Sequence, residues 1–92
     1  MTLRDDVISE HEWTQLRAHW GLSRQQTETV KGVFLGKSEG EIARELMILP
    51  HTVRAQIDHV YREFGLSTRL QLVLHVLASV REFSGQDDLF IS

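Results

Sequence analysis

The 92 residues predict an all-α fold, and three observations carry that reading. Helix-start signals recur along the chain, each a Ser followed three residues later by Glu or Gln. Behind each signal, apolar residues return at spacings of three and four, the period of a helix with one buried face. No segment alternates between apolar and polar for long enough to compete as a strand.

Five helices follow in order. Ser9 with Glu12 forms a capping box, Ile8 and Trp13 are placed as a hydrophobic staple, and Trp13, Leu16 and Trp20 share a face before Gly21 stops the helix. Ser23 with Gln26 opens a second helix with a Val30, Val33, Phe34 stripe, ending at Gly36. Ser38 with Glu41 opens a short third helix carrying Ile42 and Leu46. Pro50 suits the first turn of a fourth helix, because its missing N–H would be unpaired there anyway, and this helix runs to Gly65. Ser67 is placed to cap a fifth, from Thr68 to about Phe83. The remainder reads as a frayed acidic tail in which Leu89, Phe90 and Ile91 offer a docking segment.

A chain of this length makes one small domain, near the size at which a single core is only just adequate, so an extra helix or a partner subunit helps. There is no cysteine, which excludes disulfides and thiolate metal sites. The start, Met1-Thr2-Leu3-Arg4-Asp5-Asp6, lacks a signal pattern, and no apolar run approaches a membrane span; a cytoplasmic protein with no membrane partner is expected. Lys and Arg total 10 against 13 acids, a formal net charge of -3. Between Leu22 and Ala78, however, seven basic residues face six acidic ones, so the acidic surplus lies in the two ends. This balance points neither to a nucleic acid nor away from one.

The third and fourth helices are joined only by Met47-Ile48-Leu49, the short connection of a helix-turn-helix. Sorted by the helical period, Val53, Ile57, Val60 and Phe64 share the inner face of the fourth helix. His51, Arg54, Ala55, Asp58 and Arg62 lie opposite, with His59 beside them. By itself that is the pattern of any surface helix.

The wider spacing is more specific. Leu22-Ser23, Glu28 and Val30, Gly36-Lys37-Ser38, Glu41-Ile42-Ala43, Thr52-Val53-Arg54 and Gly65-Leu66-Ser67-Thr68-Arg69 follow in an order that resembles the LuxR-type (GerE-like) helix-turn-helix DNA-binding domain. The resemblance covers Leu22 to about Leu77 and implies a stand-alone regulator: an N-terminal helical extension at 1–21, a four-helix LuxR-type domain at 22–83 and a tail at 84–92. It also implies that the positions of Arg54, Ala55 and Asp58 face base edges. Those of His51, Thr52 and Arg62, with Lys37 and Ser38 at the start of the third helix, lie near phosphates; His59 joins them as a candidate contact. The chemistry suits these assignments, since arginine donates a bidentate pair to guanine, an alanine methyl touches the thymine methyl, and a carboxylate accepts from cytosine N4.

Several positions depart from the family pattern. Asp58 stands where a basic or neutral residue is usual, and Glu63 and Gly40 replace common lysines. Leu49 replaces the usual capping Ser, Gln25 and Gln26 replace Arg-Glu, and Gly32 replaces a Leu. Asp58 either narrows sequence choice or pairs with Arg54 or Arg62 and removes basic surface. Glu28 and Arg69 match recurrent positions and are expected to bridge the second and fifth helices.

The fifth helix has two apolar stripes. Leu70, Val73, Leu74 and Leu77 are expected in the core, whereas Leu72, Val76, Ser79 and Phe83 are left for a partner and, by the resemblance, for dimerisation. The alternative is that the helix with Trp13, Leu16 and Trp20 folds back over this second stripe. Five histidines, at 11, 19, 51, 59 and 75, form no metal-ligand spacing, and no glycine loop cradles a phosphate; no metal, cofactor or catalytic residue is expected. The expectation is a sequence-specific transcriptional regulator, a homodimer that places the 51–64 helices in successive major grooves of an inverted repeat in double-stranded DNA. The alternative function is a protein-interaction module whose degenerate helix-turn-helix pairs with and modulates a larger regulator.

Overall fold

The computed structural model describes residues 7–84, and within them the chain is helical with no strand. The helices are α1 (Glu10–Trp20), α2 (Arg24–Phe34), α3 (Glu39–Leu46), α4 (Pro50–Phe64) and α5 (Arg69–Ser84). The tail with Leu89, Phe90 and Ile91 lies outside the described residues.

The capping boxes act as the spacing predicts. Ser9, Ser23 and Ser38 each accept from the backbone N–H three residues on, and the Glu12, Gln26 and Glu41 side chains each accept from the cap residue's own N–H. The Ser38 N–H donates to Glu41 at 2.8 Å and holds that carboxyl below the usual carboxylate range. α5 differs from expectation by one residue. Its capping oxygen is Thr68 Oγ1, which accepts from Gln71 N at 3.1 Å, while Ser67 N donates to the Gln71 side chain at 2.6 Å. Thr68 is favoured because its carbonyl already accepts the first turn's bond from Leu72 N.

At the C-terminal ends the chain turns through left-handed residues. Gly65 has φ 67° and closes α4, a conformation glycine adopts without a Cβ penalty. In the turn between α3 and α4 that role falls to Met47, with φ 58°, and the Ile48 N–H reaches back to Ala43 O at 3.0 Å. Leu49 then occupies the N-cap of α4 with no side-chain hydrogen bond, as expected from its lack of a hydroxyl.

One core joins all five helices, from Trp13 and Leu16 through Val30, Val33, Phe34, Ile42, Val53 and Val60 to Leu72, Val76 and Val80. α3 packs on α4, both rest on α2, and α1 lies along α5. Gly32 permits the α2–α3 approach: a Cβ there would stand 2.7 Å from Ile42 Cγ1. Trp13 and Phe34 pack edge to face, at a centroid distance of 5.5 Å and an interplanar angle of 84°. Trp20 packs on Phe64 and His75 at 4.4 and 4.9 Å, and its Nε1 donates to Ser79 Oγ at 3.3 Å.

Two sequence expectations are corrected by this packing. The stripes of α5 largely change places: Leu72, Val76 and Ser79 are buried and Phe83 half-buried, whereas Leu70, Leu74 and Leu77 are exposed and only Val73 of that set packs against the core. The reason is α1, which folds back over the Leu72 stripe so that Phe83 meets the His19 ring at 5.3 Å. The Glu28–Arg69 bridge is not formed among the described residues. Arg69 instead donates from Nη2 to the Lys37 carbonyl at 2.9 Å, tying the start of α5 to the α2–α3 turn.

Two stability outcomes follow. Leu16 is fully enclosed, so Leu16→Ala is expected to cost about 2–5 kcal/mol in urea unfolding. A loss below about 1 kcal/mol would mean that α1 is peripheral to the fold. Leu49 is 60% exposed and already in cap geometry, so Leu49→Ser is expected to add about 0.5–2 kcal/mol in the same measurement.

Candidate nucleic-acid interface

The helix-turn-helix presents its expected face. Val53, Ile57 and Val60 are buried, Phe64 is half-buried, and the opposite side of α4 is open. On that side His51, Arg54, Ala55, His59 and Arg62 are exposed, while Thr52 and Asp58 are half-buried. Ser38 is exposed at the start of α3, but its hydroxyl is engaged with Glu41 N at 3.1 Å. The open faces of α3 and α4 therefore meet around the α3 N-terminus and the first two turns of α4.

The orientation of α4 is set by polar as well as apolar contacts. Gln56, on its flank, accepts from the Thr29 hydroxyl and donates through Nε2 to Gln25 Oε1 at 2.6 Å. Gln25, a departure from the family pattern, thus has a partner on α4. Thr29 is 1% exposed, and this bond satisfies a hydroxyl that would otherwise be buried without a partner. Tyr61 lies further along α4; burial raises its phenol above the ordinary value, against the pull of Arg69 and Arg54.

The charges do not stand alone. Lys37 Nζ pairs with both oxygens of Glu45, at 2.8 and 3.0 Å. Arg54 Nη2 reaches Glu39 Oε2 at 2.6 Å, and its Nη1 lies 3.6 Å from Asp58 Oδ1. The pairing of Asp58 with Arg54 was one of the two roles open to that acid. Glu39 and Glu45 were not singled out, since their partners are eight or more positions away and the spacing within a single helix does not reveal them. Arg62, the other candidate partner of Asp58, is exposed and makes no ion pair among the described residues.

No group of three or more His, Asp or Glu side chains among the described residues is placed to hold a metal ion. No helix among them is long and apolar enough to cross a membrane. One surface cleft beside α4 is lined by Trp20, Leu22, His59, Glu63 and Phe64, among others.

Comparison with known proteins agrees with this geometry. Two proteins named as HTH-type transcriptional regulators, one of Mycobacterium bovis and one of Mycobacterium tuberculosis, are each 40% identical to this chain over 55 residues. The match covers 59% of this chain but only 6% of each relative, so the chain spans a small fraction of the curated relatives it matches. No solved structure gives a significant match. The profile of the bacterial regulatory proteins of the luxR family, GerE, matches residues 21–76, which takes in α2, α3, α4 and the first half of α5. With more than half of its length inside that match, the chain belongs to the LuxR family of bacterial regulatory proteins.

Proposed function

We propose that this chain is a sequence-specific DNA-binding transcriptional regulator that binds an inverted repeat as a homodimer. α4 enters the major groove and α3 crosses the phosphate backbone, the docking of a helix-turn-helix. The observation that carries this reading is the outer face of α4, where Arg54 and Ala55 are exposed and Asp58 half-buried, opposite the buried Val53, Ile57 and Val60, within a LuxR-family domain. Arg54 and Asp58 supply the donors and acceptor that read a guanine and a cytosine edge, and the Ala55 methyl suits a thymine. His51, Thr52, Arg62, His59, Lys37 and Ser38 surround them at phosphate positions. The regulator names of the mycobacterial relatives support the same assignment.

Dimerisation belongs on the side of α5 that faces away from α1. Leu70 and Leu74 are 66% and 56% exposed and Leu77 is 38% exposed, with spacings of four and three that form one continuous apolar stripe. Leu72, Val76 and Ser79 support that stripe from within the subunit's own core.

A second reading is favoured by the ion pairs. Glu39, Asp58 and Glu45 engage Arg54 and Lys37, which leaves the helix-turn-helix with little basic surface. Such a domain suits pairing with another regulator through α5 in place of gripping DNA.

The deciding experiment is selection of sheared genomic DNA near physiological salt, with wild type and Arg54→Ala in parallel. Wild type is expected to enrich an inverted repeat with affinity that falls steeply as salt rises, and Arg54→Ala to lose the enrichment. A folded, dimeric wild type that enriches nothing would transfer the assignment to the partner-binding reading. Leu74→Lys is expected to shift the protein from dimer to monomer in sedimentation at unchanged helicity, with at least tenfold weaker operator binding. An unaltered dimer would place the subunit contact elsewhere.

A further inference from the structure

The outer surfaces of α3 and α4 are joined by one side chain. Arg54 leaves the second turn of α4 and meets Glu39, the first residue of α3, at 2.6 Å. On its other side it meets Asp58, one turn further along α4, at 3.6 Å. Two carboxylates on different elements therefore bracket a single guanidinium. The Arg54 side chain is nevertheless 57% exposed, so the bracket does not bury it.

Neither fold stability nor phosphate attraction accounts for this arrangement. An exposed ion pair adds little to folding, because ordering two long side chains offsets most of the Coulomb gain. Two acids about one base also leave local negative charge on the surface that must approach a polyanion, which weakens general affinity for DNA. What the bracket supplies is direction. A free arginine turns to whichever phosphate is nearest, whereas a guanidinium drawn to Glu39 at 2.6 Å, with Asp58 3.6 Å from its other terminal nitrogen, is biased toward one direction. With five N–H groups, it retains donors beyond those the carboxylates engage. The acid on α4 itself, Asp58, also offers an acceptor of the kind cytosine N4 donates to.

We infer that Glu39 is a specificity-determining positioning residue: from the start of α3 it orients Arg54, together with Asp58, toward a guanine edge and away from the phosphates. Selectivity at a guanine–cytosine site is thereby gained at the expense of non-specific binding. This rests on the reading of α4 as the helix that enters the major groove.

The test uses the full chain as wild type, Glu39→Gln, Arg54→Ala and the double variant, each confirmed folded by circular dichroism. Affinity is measured over a salt series for the selected inverted repeat and for a scrambled duplex of the same length. Glu39→Gln is expected to bind the scrambled duplex at least threefold more tightly, with a steeper salt dependence, and to lose about fivefold or more of the preference for the repeat. In the Arg54→Ala background the same change is expected to leave no preference to lose and to raise both affinities alike. A side-chain NMR readout on the free protein accompanies these measurements: the Arg54 Nε–Hε resonance is expected to move in Glu39→Gln. Equal tightening on both duplexes with preference intact would overturn the inference and reduce Glu39 to a contributor of net charge. An unmoved Arg54 resonance would overturn it as well. A wild type with no preference would overturn the reading of α4 along with it, which keeps the two failures distinct.

Discussion

Burial of the inner stripe of α4 is the contact on which the outer face depends. Val53, Ile57 and Val60 are 0%, 7% and 2% exposed, in one core with Val30 and Ile42 of the two preceding helices. Burying side chains of this size stabilises by about 1.5–3 kcal/mol each. It also fixes rotation: with Val53 and Ile57 inward, Arg54, Ala55 and Asp58 have no choice but to stand outward. The Thr29–Gln56–Gln25 relay adds a polar constraint on the same rotation from the flank. A small slip of α4 would unpair Thr29 as well as open the core.

That rigid platform carries an unusual charge distribution. The family's helix-turn-helix meets a polyanion, yet Lys37 and Arg54 are both held by acids of α3 or α4. These are exposed pairs, worth little to stability, so their effect falls on encounter and recognition. Histidine, alanine and arginine at the remaining outward positions keep the surface near neutral.

α1 changes what α5 has to offer. By covering Leu72, Val76 and Ser79 it completes the core of a chain small enough to need additional burial. The opposite stripe, Leu70, Leu74 and Leu77, is left to the surface. The helix thus has an inner face that belongs to the subunit and an outer face available to a partner, and the two differ only by a rotation about the α5 axis.

The local signals were legible in the sequence because they act over three or four residues. The three capping boxes, Pro50 at the first turn of α4, Gly65 beyond its end and the apolar period of each helix all depend on near neighbours, and the LuxR pattern is a string of such positions. The outward set on α4 followed from the helical period alone. The sequence did not determine which apolar stripe of α5 is buried, since both satisfy that period and only the docking of α1 distinguishes them. Nor did it reveal the polar partners around α3 and α4: Glu39 with Arg54, Glu45 with Lys37, and Gln25 with Gln56 meet across helix boundaries. Such pairs depend on interhelical distance and rotation, which no single helix encodes and which the shared core decides.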